Sequence, residues 1–366
     1  MKILFVNTYK DWGGDEKWTI NTGKGLKAKG HEVVIASKPG HETESRALEN
    51  GLEIFPLDIG PDIAYWKIPG IKRYIKKQGF DVVVCVQNRD IKIAALAAKL
   101  AGVKLVLGRQ ALDAMKQRLY HRLAFTKFVD GIITNTHALK KLYMSYGWFQ
   151  DDFIHPVHDG MEIQENVEDI DLRKEFNLPD DSVVLVGAGR IVHQKGFDLL
   201  VEVAQMAKKE NLNWRFIIVG EGQLEEQLKK VAVEFQVENH ILFIGFRKDV
   251  LPIMKAADLF VLSSRSESMT NVLREAMSVN TACVATDVYG ISELIEHKES
   301  GFIVEPFSSK AIFDGIKQVL SNPELKTKIE RNSLRRIEEG FTMERMINDI
   351  EALFFRLLNI QAVRQS

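Results

Sequence analysis

Twice along the 366 residues, short apolar runs alternate with stretches whose apolar positions recur every three or four residues. In the first half the runs are Ile3–Val6, Val33–Ala36, Val82–Val86, Lys104–Leu107 and Gly131–Thr134, with helical spacing near 16–29, 66–78, 90–101, 115–128 and 138–146. In the second half they are Ser182–Ala188, Phe216–Val219, Ile241–Ile244, Leu259–Leu262, Ala282–Ala285 and Phe302–Val304, with helical spacing at 197–209, 223–236, 309–320 and 324–338. Runs that do not alternate with polar residues fit strands buried on both faces, which means parallel strands. Strand, helix, strand in repetition predicts βαβ units and an α/β fold with helices on both faces of each sheet. A chain of this length divides into two such domains. Residues 156–182 are polar, acidic and aperiodic, so the boundary is expected there, with domains at 1–160 and 161–340 and an amphipathic helix in 341–366.

In sheets of this kind ligands bind beyond the carboxyl ends of the strands. The most informative such place is SSRSESMTNVLREA, Ser263 to Ala276, which follows the apolar run ending at Leu262. Val272, Leu273 and Ala276 carry helical spacing, so this is a strand-to-helix turn, with Thr270 or Asn271 as the cap. The turn offers backbone N–H groups, at Met269, Thr270, Asn271 and Val272, and the positive end of a helix dipole, a seat for a phosphate. Glu267 and Glu275 flank it and could accept hydrogen bonds from sugar hydroxyls. Their residue types alone fit a loop acid and a surface helix acid equally well. After the run ending at Ala188, Arg190 and Lys195 flank the loop GRIVHQKG, where two cations could neutralise a diphosphate or be plain surface charges. The preceding GAGRIV does not complete a dinucleotide fingerprint, because Val192 occupies the third glycine position. Gly13-Gly14, before the first helix, allows close backbone approach to an anion or serves a plain turn.

The charge is uneven. Residues 1–160 hold 24 Lys and Arg against 17 Asp and Glu, and the remainder hold 25 against 33. A basic front half suits an anionic partner, or attraction to the acidic half. Lys67, Lys72, Arg73, Lys76 and Lys77 lie on 66–78, and Lys116, Arg118, His121, Arg122 and Lys127 lie on 115–128. These read as solvated helix faces or as basic faces that rest on anionic lipid. Cys85 and Cys283 lie inside apolar runs and read as buried thiols of a reducing compartment. No run reaches the ~18 apolar residues of a membrane span, and MKILFVN reads as a strand and not a leader. The expected location is the cytoplasm, with peripheral contact to the membrane's inner face. Asp169-Ile170-Asp171 is formally a D-x-D, but it sits in the charged boundary segment, so no metal is expected there. No nucleic-acid partner is expected either.

The stretches ADLFVLSSRSE and NVLREAMSVNTACVATDVYGISELIEHKESGFIVEP, with their two glutamates separated by seven residues, resemble retaining glycosyltransferases of the family-4 type. The resemblance runs from residue 1 to about 355 and is strongest over 182–306. It implies the GT-B fold: two doubly wound domains facing a cleft, with the last helix crossing back to the first domain. It implies transfer of a sugar from a nucleoside diphosphate sugar to a glycan or lipid-linked acceptor, with retention at the anomeric carbon and no metal or other cofactor. Residue by residue, Glu267 would lie by the donor sugar and Glu275 would hold the ribose. Arg190 and Lys195 would contact the phosphates, and Gly13-Gly14 would reach them from the other domain. Phe246 and Arg247, in the Gly245-Phe246-Arg247 turn, would lie where backbone groups meet the base. The family's acceptor-side histidine is absent from the 108–110 loop; Arg109 stands there and is expected to meet an anionic acceptor. His137 reads equally as a cap or a surface residue. A sugar-nucleotide epimerase or phosphorylase on the same fold, or a non-catalytic sugar-nucleotide binder, are the competing classes.

Overall fold

A computed structural model describes residues 1–61, 63–111 and 118–359. The chain forms two compact units, Met1–Gly160 with Met343 onward, and Met161–Thr342. The first holds seven parallel strands: β1 (Lys2–Asn7), β2 (Glu32–Ser37), β3 (Glu53–Pro56), β4 (Val82–Cys85), β5 (Leu105–Gln110), β6 (Gly131–Thr134) and β7 (Ile154–Pro156). Their order is β3-β2-β1-β4-β5-β6-β7. The second holds β8 (Val183–Ala188), β9 (Trp214–Val219), β10 (Ile241–Phe243), β11 (Leu259–Leu262), β12 (Cys283–Thr286) and β13 (Phe302–Val304), in the order β10-β9-β8-β11-β12-β13.

Central strands are buried along both faces, as their unbroken apolar runs require: every residue of β4, β11 and β12 is buried. Each sheet accordingly has two apolar layers. In the second unit one contains Phe197, Trp214, Phe216 and Phe313, and the other Phe260, Leu262, Leu273 and Phe341. The sequence reading missed β3 and β7. Both are outermost strands of three or four residues, and β3 is only half-buried, so neither leaves a long apolar run.

In each sheet the direction of strand addition reverses once, between β1 and β4 and between β8 and β11. At such a switch point the helices that follow the two neighbouring strands depart to opposite faces and leave a crevice between the strand ends.

The boundary segment is more ordered than its composition implied. Asp171 caps the short helix Leu172–Glu175, accepting from the N–H groups of Arg173 and Lys174. Asp169 is 2.7 Å from Lys255 Nζ. Both members of the D-x-D therefore have structural partners.

Helix Met343–Leu357 belongs to the first unit. Met346, Ile347, Ile350, Leu353 and Phe354 form one stripe at helical spacing and pack with Ile3, Phe5, Trp18 and Leu26. Burying each such side chain contributes about 1.5–3 kcal/mol. The helix lies close against helix Gly14–Ala28 at Gly25, where an added Cβ would come within 2.5 Å of Ile347 Cγ1. Gly25→Ala should therefore destabilise the protein by about 1–3 kcal/mol despite its better helix propensity. Adding Ile347→Ala should make the Gly25 substitution nearly neutral, a coupling that urea unfolding of the double-mutant cycle measures.

Candidate active site

The loops after β8 and β11 meet at the second unit's switch point. Gly189 has φ +143°, and Gly196 has φ +66° with no room for a side chain, since a Cβ there would stand 2.1 Å from the Ser263 carbonyl oxygen. That contact seats the 189–196 loop against the 263–267 turn. Hydrogen bonds complete the join: Arg265 N–H to Gln194 O at 2.8 Å, Gln194 Nε2 to Ser266 O at 2.8 Å, and Ser263 Oγ to Lys195 O at 3.0 Å. The Arg265 guanidinium grips both Asp198 carboxylate oxygens and the His193 carbonyl.

Within this frame Lys195 Nζ forms an ion pair with Glu267 Oε1. Ser264 Oγ donates to the same oxygen at 2.9 Å. Glu267 is 9% exposed. Arg190 is exposed, and among the described residues its guanidinium has no ion-pair or hydrogen-bond partner. Thr270 is the residue before helix Asn271–Ser278, but its side chain makes no capping bond, and the Asn271 side chain instead accepts from Arg274. The expected side-chain cap is thus absent among the described residues, so neither of the two side chains expected to cap it satisfies the first-turn N–H groups. Glu275 is half-buried in the second turn of that helix.

Other expected positions sort differently. Met269 is 7% exposed and its side chain packs in the core with Leu262 and Leu273, with Val272 against the same cluster, so only their backbones could serve a ligand. Phe246 and Arg247 follow the outermost strand β10, away from the switch point. Phe246 is exposed and its N–H donates to Glu221 at 3.3 Å. The Arg247 side chain is held by Asp249 and Glu175, which raise its pKa, so its charge is already matched.

In the first unit, Gly13 directly precedes helix Gly14–Ala28 and Gly14 begins it. A Cβ at Gly14 would meet no described atom within 4 Å, so the fold itself does not demand glycine there. Arg109 corrects an expectation. It is 3% exposed, ion-paired to Asp15 and, at 2.9 Å, to Asp159, with its guanidinium 4.2 Å above the Trp18 ring. Two carboxylates outweigh one guanidinium, so Arg109 does not offer positive charge to an anionic acceptor. It ties the end of β5 to the first helix. His137 does not cap its helix either; Thr136 does, accepting from Leu139 N–H at 3.1 Å.

The sequence reading missed a buried polar cluster at the β1–β4 switch point. Asp90 is fully buried and accepts from Thr8 Oγ1 at 2.5 Å and from the Thr8 and Gln87 N–H groups. Burial pushes its pKa up to about 6 against those hydrogen bonds. Glu16, 2% exposed, is likewise raised by burial, and Gln87 Nε2 approaches it at 3.4 Å. The available signal was QNRD, four polar residues directly after the buried run VVVCV.

The two basic stretches are surface features. Helix Ile68–Gln78 buries Ile71 and Ile75 and exposes Arg73, Lys76 and Lys77. Trp66, expected on the apolar face, lies before the helix and is 66% exposed. In the second stretch Lys116 lies outside the described residues. Helix Leu119–Lys127 buries His121 and exposes Leu119, Arg122, Leu123 and Lys127, with Arg118 exposed just before it. No helix among the described residues is long and apolar enough to cross a membrane.

Removing the Ser264 hydroxyl leaves a buried carboxylate short of a donor. Ser264→Ala should cost about 1–3 kcal/mol in urea unfolding, and Ser264→Thr, which keeps the hydroxyl, should recover part of it.

Two family models match the chain. "Glycosyl transferases group 1" covers residues 168–336 and "Glycosyltransferase Family 4" covers residues 12–165. A curated Haemophilus influenzae protein described as an uncharacterized glycosyltransferase is 26% identical over 356 residues, covering 94% of this chain and 97% of its own. An Escherichia coli UDP-Gal:alpha-D-GlcNAc-diphosphoundecaprenol alpha-1,3-galactosyltransferase is 24% identical over 302 residues, 78% of each chain. Among solved structures, Anabaena HepE in complex with UDP superimposes with a TM-score of 0.85 at 18% identity, covering 97% of this chain and 100% of that one.

Proposed function

Since the chain belongs to the family-4 glycosyltransferases of the GT-B fold, we propose that it transfers a sugar from a nucleoside diphosphate sugar to a hydroxyl of a glycan or lipid-linked acceptor, with retention, in cell-envelope synthesis. The carrying observation is the β8–β11 crevice, where the loop that carries Arg190 and Lys195 is joined to the turn that carries Glu267, Lys195 pairs with the Glu267 carboxylate, and the helix that follows starts without a side-chain cap.

The chemistry requires a seat for charge that grows as the diphosphate departs. Preorganised cations and amides stabilise such charge most when they need not rearrange to do so. Arg190 is exposed at the strand end, and the first N–H groups of helix Asn271–Ser278 add the positive end of its dipole. Lys195 is paired with Glu267 before the donor arrives. An arriving phosphate competes for that ammonium, and the released carboxylate, still held by Ser264, can accept a hydrogen bond from a donor hydroxyl. Glu275 takes the ribose hydroxyls. With two cations at the phosphates the reading calls on no metal. In retention the acceptor oxygen forms its bond to the anomeric carbon on the face from which the phosphate oxygen leaves, and that oxygen takes the acceptor's proton.

Lys195→Ala and Glu275→Ala should each weaken binding of the cognate nucleotide sugar about tenfold or more, the worth of a charge-assisted hydrogen bond. A panel of UDP-, GDP- and ADP-sugars scored by thermal stabilisation identifies the donor, because a ligand that binds only the native state raises the melting point. Unchanged affinity in both variants rejects the assignment. Retention is read by proton NMR of the first product anomer.

For a lipid-linked acceptor the basic exposed residues Arg73, Lys76, Lys77, Arg118 and Arg122, with exposed Trp66, Leu119 and Leu123 among them, suit contact with an anionic membrane surface. Sedimentation with phosphatidylglycerol vesicles should capture the protein at low salt, and reversing Arg73, Lys76 and Lys77 to Glu should abolish it. Capture that survives the reversal rejects this face.

A further inference from the structure

The loop that leads from β1 into helix Gly14–Ala28 is gripped at its first residue. Thr8 gives its N–H to Asp90 Oδ2 at 3.2 Å and its hydroxyl to Asp90 Oδ1 at 2.5 Å. The Arg89 guanidinium donates to the Thr8 carbonyl at 2.7 Å and to Oγ1 at 3.2 Å, and its other arm holds the Gly60 carbonyl at 3.0 Å. Every polar group of Thr8 is therefore held by the turn after β4. Asp90 Oδ2 also takes the Gln87 N–H at 3.3 Å, and Gln87 Nε2 reaches Glu16 of the helix at 3.4 Å. The far end of the loop is fixed by the helix. Lys17 N–H bonds to Gly13 O at 3.0 Å, and Thr19 Oγ1 bonds to Asp15 O at 2.7 Å and to the Asn7 side chain at 3.1 Å. Between the two anchors Tyr9, Lys10, Asp11 and Gly13 are exposed.

A carboxylate is a costly group for this task. Asp90 is fully buried, and an ionised acid there gives up its hydration. Burial outweighs the hydrogen bonds and the Arg89 charge and holds its pKa at about 6. The gain is strength, since a bond to an ionised acceptor is about twice as strong as a neutral one. The groups that bear on Asp90 are few. Arg89 stands on its own turn, and the Cys85 thiol on β4 is pushed up by burial and stays neutral. Lys92, two residues on, lies 5.1 Å over the Tyr120 ring. Asp58 holds the N–H of Gly60, the residue whose carbonyl Arg89 grips, at 2.9 Å. Glu16 is reached through Gln87, and burial raises its pKa too.

We propose that Asp90 is a positioning residue for the loop after β1: its ionised carboxylate, through Thr8, fixes the stance of Gly13 and Gly14, and neutralising it lets them move. When a proton from solvent settles on Oδ1, the acid O–H donates to Thr8 Oγ1 and the threonine proton loses its acceptor. The bonds at Oδ2 become neutral ones, and Arg89 loses its counter-charge. One anchor of a short loop weakens while the other stands, and the exposed residues between them gain freedom. The loop is therefore held tightly above about pH 6 and slackens below it. That the loop meets the donor's phosphates in the tight stance rests on the reading given above. The anchoring itself does not.

The test follows the Gly13 and Gly14 amides of the deuterated full chain by nitrogen-15 TROSY NMR as the pH is lowered from neutral to mildly acidic. In the wild type both should shift with one midpoint near 6. Asp90→Asn copies the protonated acid, with its amide toward Thr8 Oγ1 and its oxygen toward the two N–H groups, so both glycines should keep their low-pH positions throughout. The folded-state pKa is raised, so the ionised acid costs stability above it and that cost fades as the pH falls. Asp90→Asn should therefore melt no lower than the wild type at neutral pH, and the gap should narrow in acid. Thr8→Val removes a bond that favours the charged form, so the midpoint should rise, and this variant decides the matter where Asp90→Asn does not fold. Glu16→Gln should keep the response. Glycine shifts that are absent in the wild type, retained in Asp90→Asn, unmoved in midpoint by Thr8→Val or abolished by Glu16→Gln overturn the inference. In a second arm UDP-glucose, GDP-mannose and ADP-glucose are titrated into the wild type and Asp90→Asn at neutral pH. With the expected glycine shifts in hand, weaker binding by the variant supports the anchoring and gives the loop a share in the donor site, and equal binding supports the anchoring while removing the loop from that site. A wild type that binds none of the three rejects the donor reading, and the glycine shifts alone then sustain or overturn the anchoring.

Discussion

The ion pair between Lys195 and Glu267, 72 residues apart in sequence, joins the loops after two strands that lie side by side in the sheet. It sits where a lone charge would be costly. Glu267 is 9% exposed and the Lys195 side chain 15%, and an unpaired carboxylate there would lose much of its hydration without return. Pairs of this kind add little net stability, because desolvation offsets most of the attraction. Its worth lies in position. The pair holds an ammonium and a carboxylate in the crevice in mutually neutral form, available to an anionic ligand that can take over one partner.

Backbone makes that geometry possible. Gly196 allows the approach to Ser263, and Arg265 with Gln194 locks the two loops together. Side chains around the pair thus fix where the Lys195 ammonium and the Glu267 carboxylate meet. The first unit repeats the topology with opposite chemistry. At its switch point lie Asp90 and Glu16, both buried, both with raised pKa, joined through Gln87. The parallel sheet with one reversal supplies a crevice in either case, and the residues placed at the strand ends decide what it can hold.

The architecture was legible because it is written in periodicity. Unbroken apolar runs such as those ending at Leu262 and Ala285 can be little else in a chain that alternates them with helical spacing. The outermost strands β3 and β7 escaped because an edge strand of three or four residues needs no long apolar run. Within the crevice, the residue types and loops of Arg190, Lys195 and Glu267 were readable from their place at strand ends. Their pairing was not, since it depends on which loops the sheet order brings together. The helix start before Asn271 was found, but the capping role given to Thr270 or Asn271 was not. Capping depends on a rotamer, and Asn271 turns to Arg274 instead.

Arg109 and Arg190 show where reading by residue type ends. Both follow or close buried strands, both stand at the carboxyl edge of a sheet, and both looked ready for an anion. Arg109 is 3% exposed and lies between Asp15 and Asp159 above an indole ring. Burial alone would lower its pKa, yet the two carboxylates raise it, so it is permanently charged and permanently spent. Arg190 is exposed, and among the described residues its guanidinium has no partner. An anion gains from a guanidinium only what the guanidinium has not already given to its neighbours. Of two identical side chains at the carboxyl edges of two sheets, the unmatched one is therefore the one that can attract an anion.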